Sequence, residues 1–254
     1  GTADATNIGV SGVLPIANGG TSTSDGVINT IAYSNSADGT DDFTTVYPNL
    51  NLLDGTDFKN FTPKIEKYLT IVKKDGGVLN KPYISASYSN PEPNSFADIL
   101  SWRLEKGRLE PSTTYTFSFY LKGKGTVKAF IHPSLIDTSS NNSYADGKVI
   151  KPNVDGEYTW TLTNEWVRHT YMFTTKSSIT EDQYVLFRLP TESSVDICVP
   201  KLEKGTIDTR WMPSFIVHSL YPDIHLPLCI GTYTDNKSNE QSTDPEKYTW
   251  KKIE

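Results

Sequence analysis

Apolar and polar side chains alternate through Thr113–Pro133, TTYTFSFYLKGKGTVKAFIHP. Tyr115, Phe117, Phe119 and Leu121 alternate with Thr116, Ser118, Tyr120 and Lys122, and beyond Gly123-Lys124-Gly125 the residues Val127, Ala129 and Ile131 alternate with Lys128, Phe130 and His132. Side chains two apart share one face of a strand, so the pattern predicts a β-hairpin with a continuously apolar side. That side must be covered by a second sheet. The other side carries Tyr120, Phe130 and His132 among polar groups and is expected to be wet yet aromatic. Further strands are predicted over Tyr68–Lys73, Tyr83–Ser87, Asp98–Leu104, Tyr158–Leu162, Trp166–Thr174, Tyr184–Leu189 and Val195–Val199, with Pro91-Glu92-Pro93-Asn94 as a loop. Asp137–Gly156 is polar, turn-rich and long enough to be a functional loop. Nothing reads as a long amphipathic helix, and many short strands spaced by turns indicate a sandwich or jelly roll.

The two ends of the chain carry weaker patterns. Val27–Pro48 predicts strands at Asn29–Tyr33 and Phe43–Tyr47 around an Asp38-Gly39 turn, and Leu228–Ile253 predicts strands at Cys229–Thr234 and Tyr248–Ile253 around a polar loop with Asp244-Pro245. Two strands alone are marginal in water. Tyr33, Phe43, Tyr233, Tyr248 and Trp250 therefore imply that both pieces share one small sheet or core. Gly1–Gly26, rich in Gly, Ser, Thr and Asn, buries too little to order itself.

The net charge of −6, with both signs mixed along 254 residues, shows no Lys/Arg stripe of the kind that displaces counterions from phosphate, so a nucleic-acid partner is not expected. An apolar share of 36% suffices for a real core. Cys198 and Cys229, the only cysteines, read as two reduced, buried thiols. No apolar run approaches the roughly 20 residues that span a bilayer, so neither membrane insertion nor a leader is expected within this sequence.

Several segments resemble proteins of phage tails. Leu14–Thr21, LPIANGGT, is similar to a segment near the joints of trimeric tail-fibre shafts. AYSNSADGTDDF and the pair IGTYTD and STDPEKYTWKKI resemble the halves of a small module in tail and baseplate proteins of phages of Gram-positive hosts. Asn51-Leu52-Leu53, Leu109-Glu110-Pro111 before Thr114-Tyr115-Thr116, Trp166-Val167-Arg168-His169 before Phe173, and KLEKGTIDTRWMPS at Lys201–Ser214 resemble, in order, the carbohydrate-binding jelly-roll modules of phage tail proteins. The resemblance implies an all-β chain: a shaft segment at 1–26, a small split β module at 27–48 plus 215–254, and a carbohydrate-binding-module-like jelly-roll β-sandwich at 49–214. It further implies a homotrimer on the virion, at the tail tip or baseplate beside other tail proteins. Related jelly rolls hold a structural calcium through an early acid and an acid in the last strand. Here Lys59 and Ile197-Cys198-Val199-Pro200 stand at those places, so no metal or other cofactor is expected.

The chain has no Gly-x-Ser-x-Gly elbow, His-Glu-x-x-His helix or Walker loop, and its four histidines lack ligand spacing. Binding of host cell-surface polysaccharide without catalysis is the expectation. The alternatives are a purely structural tail component or an ancillary domain of a wall-degrading enzyme. Sugar presents an apolar face and a rim of hydroxyls, so a site needs aromatic platforms beside hydrogen-bonding groups. Parity groups Tyr120, Phe130 and His132 on one face, with Tyr184 and Arg188 sharing it from a neighbouring strand and Trp160 as a wall; completion of a core is the alternative for Phe130 and Trp160.

Overall fold

A computed structural model describes residues 28–34, 36–40, 43, 51–139, 142–152, 156–212, 214, 229–235, 242 and 244–252. The shaft-like segment and most of the strand expected at Phe43–Tyr47 lie outside these residues. In order, the strands are β1 (Ile28–Ser34), β2 (Lys64–Ile65), β3 (Leu69–Lys74), β4 (Tyr83–Tyr88), β5 (Phe96–Leu104), β6 (Thr114–Lys124), β7 (Thr126–Ile131), β8 (Ser143–Ala145), β9 (Lys148–Ile150), β10 (Glu157–Thr161), β11 (Val167–Thr174), β12 (Gln183–Pro190), β13 (Ser193–Lys204), β14 (Cys229–Asp235) and β15 (Thr249–Lys252). Among the described residues no helix is long and apolar enough to cross a membrane.

The chain divides into two compact units, Gly1–Pro48 with Ile224–Glu254, and Asn49–Asp223. In the smaller one β1 pairs with β14 and β14 with β15, all antiparallel, so the two ends of the sequence meet in one sheet as the aromatic pattern predicts. Phe43 and Tyr248 lie 5.4 Å apart and Tyr233 and Tyr248 5.6 Å. The Asp38-Gly39 turn is needed where it stands. Gly39 has φ +77°, and a Cβ there would sit 2.2 Å from the Trp250 ring.

The larger unit is a β-sandwich. One sheet has the order β10-β7-β12-β5 and the other β2-β3-β4-β13-β6-β11-β8-β9. Alternation sets the inner faces: Phe117 and Phe119 of β6, fully buried, meet Phe187 of β12 at 5.3 and 4.8 Å, and Trp102 of β5 lies 6.4 Å from Phe117. The ends of this unit close on each other. Asn51 and Ser214 form a parallel bridge, and the buried Asn51 amide donates to Pro200 O (2.9 Å) and accepts from Leu202 N (3.0 Å).

The strands expected at Thr113–Pro133 form, but they are not a hairpin. β6 pairs with β13 and β11, whereas β7 pairs with β10 and β12 in the opposite sheet. A single residue, Gly125 at φ +83°, carries the chain across, and a Cβ on it would lie 2.4 Å from Ser193 Oγ. Two strands whose apolar sides face each other across a core satisfy the alternation as well as two hydrogen-bonded neighbours do. A second departure lies in Asp137–Gly156, where β8 and β9 form a hairpin through Asp146-Gly147, both at positive φ, and β8 pairs with β11.

Candidate functional site

The crossover at Gly125 separates the residues that parity had grouped. Tyr120 lies on the outer face of the eight-stranded sheet, while Phe130, His132, Tyr184 and Arg188 belong to the four-stranded sheet or its rim. Trp160 faces inward: it is 4% exposed, packs 5.3 Å from Phe119, and donates its Nε1–H to Asp146 Oδ2 at 3.1 Å. It is therefore core and not the wall of a groove.

On the four-stranded sheet the Arg188 guanidinium is already engaged. It donates to Asp98 Oδ1 and Glu157 Oε1, each at 2.7 Å, and lies 4.4 and 4.9 Å from the ring centroids of Phe96 and Phe130. Lys128 pairs with Glu157 at 3.0 Å. Phe130 is 8% exposed, and His132 Nδ1 accepts the Ser134 N–H. Tyr184 at 42% and Phe96 at 51% remain open, but the charged groups that were to bind beside them neutralise one another.

The outer face of the eight-stranded sheet differs. Registers place three rows across β6, β13, β4 and β3: Tyr120–Cys198–Tyr83–Lys74, Lys122–Asp196–Ser85–Val72 and Lys124–Ser194–Ser87–Thr70. The second and third rows, with Lys74 and Asn164, line a cavity of about 440 Å³. Beside the first row is a smaller cavity of about 150 Å³, walled by Leu79, Tyr120, Arg168, Arg210 and Trp211. The Trp166 ring meets Tyr83 edge-on at 5.4 Å and takes Lys122 Nζ at 6.0 Å, so rings border a floor of hydroxyls and charges. Burial, and then the Asp196 carboxylate, push the Tyr83 phenol up, leaving it an O–H donor. Cys198 beneath the first row is a closed-off thiol, pushed up to about 11 by burial, with its Sγ 3.8 Å from Val78 O and 3.6 Å from Pro82 O.

One end of this face is roofed by the segment after β13. Lys201 and Glu203 point outward, in register with Ser118 and Thr116, yet both side chains are fully buried because residues 207–212 fold back over them. Lys201 Nζ donates to Thr209 Oγ1 at 2.6 Å and Arg210 O at 2.7 Å, and lies 3.3 Å from Glu203 Oε2. Glu203 accepts from Thr209 N at 2.8 Å, and Arg168 pairs with Asp208 at 2.9 Å. Burial pushes the Lys201 ammonium down to about 8, offset by Glu203. These contacts set the position of Arg210 and Trp211, the wall of the smaller cavity.

No protein-family model and no curated protein matches the chain. Among solved structures it is similar to the baseplate tripod of bacteriophage Tuc2009, with a TM-score of 0.52 and 24% identity over 91% of this chain and 80% of that one. The fold is shared with a phage baseplate component. A CBM4 module, at TM-score 0.36 and 16% identity over 60% of this chain and 84% of that one, is a more distant likeness. So is a family 16 carbohydrate-binding module, at 0.37 and 15% over 60% and 99%.

Of the residues expected to bind, Tyr120 alone lies on this face, where it lines the smaller cavity. Tyr83, Trp166, Lys122 and Asp196 were missed, although their signal is in the sequence. Tyr83, Ser85 and Ser87 alternate with Ile84 and Ala86, and Asp196 stands between Val195 and Ile197. With β6 paired to β13, those alternations select the groove floor.

Proposed function

We propose that this chain is a non-catalytic adhesion module of a phage tail or baseplate, carried as a homotrimer beside other tail proteins, that holds host cell-wall saccharide in the groove of its eight-stranded sheet. The observation that carries the reading is the juxtaposition of the Tyr83 and Trp166 rings with the Ser85, Asp196 and Lys122 side chains along one open face. Rings take the apolar face of a sugar, while hydroxyl, carboxylate and ammonium groups take its hydroxyl rim. The fold shared with a baseplate component supports the place in the virion. The lining favours binding over hydrolysis, because a glycosidase needs two carboxylates about the scissile bond and Asp196 is the one carboxylate among the lining residues. A shallow site of this kind binds weakly, and adhesion comes from many copies.

A panel of Gram-positive cell-wall glycans tests this directly. The full chain, trimeric by light scattering, is expected to bind without releasing reducing sugar, and Tyr83→Ala and Trp166→Ala each to weaken binding about tenfold. Reducing-sugar release overturns the non-catalytic part. Unchanged binding by the folded double variant places the site elsewhere.

A further inference from the structure

The groove is basic in an acidic protein. Lys74, Lys122 and Lys124 line the larger cavity against the single carboxylate of Asp196, in a chain whose net charge is −6. Among the described residues the lysines that form ion pairs lie elsewhere: Lys64 with Glu66, Lys128 with Glu157, Lys201 with Glu203 and Lys204 with Glu110. Opposite the groove, the four-stranded sheet neutralises Arg188 and Lys128 within itself. Among the described residues Lys74, Lys122 and Lys124 form no ion pair, and gathering three ammoniums around one carboxylate costs self-repulsion, which a neutral sugar leaves in place and an anion relieves.

We infer that the groove selects an anionic saccharide, one bearing phosphodiester or carboxylate groups, with the rings seating the sugar and Lys74, Lys122 and Lys124 pairing with its charge. The inference rests on the saccharide-binding reading of the same groove. An ammonium is a compact charge with rotatable donors and serves either anion. Association is then electrostatically steered as well as stabilised, and both effects are screened by salt.

The full chain is titrated with poly(glycerol phosphate), with polygalacturonate and with neutral dextran, as wild type, as Lys74→Gln/Lys122→Gln/Lys124→Gln and as Trp166→Ala. Binding to at least one anionic polymer is expected, weakened about tenfold or more in the triple variant and similarly on raising NaCl from about 50 to about 500 mM. Poly(glycerol phosphate) alone identifies the phosphodiester as the source, and polygalacturonate alone the carboxylate. Equal binding of dextran, insensitive to the triple substitution but lost in Trp166→Ala, overturns the charge inference and leaves the groove as a saccharide site. Binding unaffected by either variant overturns both, and failure to bind either anionic polymer overturns the inference.

Discussion

Replacing Lys201 by methionine is expected to lower the stability of the larger unit by about 3–5 kcal/mol, a fall in Tm of roughly 10 °C for a unit of this size. The cause is what remains behind. Glu203 is fully buried, and without the ammonium 3.3 Å away its carboxylate is an uncompensated charge in a site that water does not reach. Arg210 O and Thr209 Oγ1 lose their donor at the same time. The double variant Lys201→Met/Glu203→Leu is expected to recover part of the loss, since no lone charge is left, although Thr209 N and Oγ1 now lose the Glu203 carboxylate as acceptor. Chemical denaturation of the three proteins checks this. A change below about 1 kcal/mol in the single variant contradicts a pinned roof.

Truncating Phe117 to alanine is expected to cost about 3–5 kcal/mol, because the ring is fully buried and is held by Phe119 at 4.7 Å, Phe187 at 5.3 Å and Trp102 at 6.4 Å. The informative measurement is the coupling with Phe187. If β6 and β7 lie in opposite sheets, Phe117 and Phe187 touch across the core, and a cycle of Phe117→Leu with Phe187→Leu is expected to show about 1 kcal/mol of non-additivity. Effects that add to within about 0.3 kcal/mol contradict the cross-core contact.

Much of the fold was legible because strand burial is written in alternation. Tyr83–Tyr88, Phe96–Leu104 and Gln183–Pro190 bury every second residue or nearly so, and their strands appear within two residues of the sequence expectation. Partnership was not legible. Alternation states which side of β6 is inward but not whether β7 lies beside it or across from it, and Gly125 permits both. That one ambiguity carried Phe130, His132 and Arg188 into a site with Tyr120. Trp160 was misplaced for a related reason: its indole N–H finds Asp146 at the turn between β8 and β9, a partner inside a segment that reads as open loop. The buried Lys201–Glu203 pair was likewise hidden: simple parity continues the inward Val195 and Ile197, and only the register shift between Cys198 and Lys201 turns both side chains to the outer face, where the returning chain at 207–212 covers them.

Amide and indole chemical shifts of the full chain, followed through a titration with an oligosaccharide cut from Gram-positive cell-wall polysaccharide, distinguish the groove of the eight-stranded sheet, where saccharide is proposed to bind, from the face of the four-stranded sheet. The expected result is a set of saturating shifts at Ser85, Lys122, Asp196 and the Trp166 indole N–H, all on the rings and rows of that groove. Shifts confined to Phe96, Tyr184 and Arg188 would contradict it and return the site to the opposite sheet.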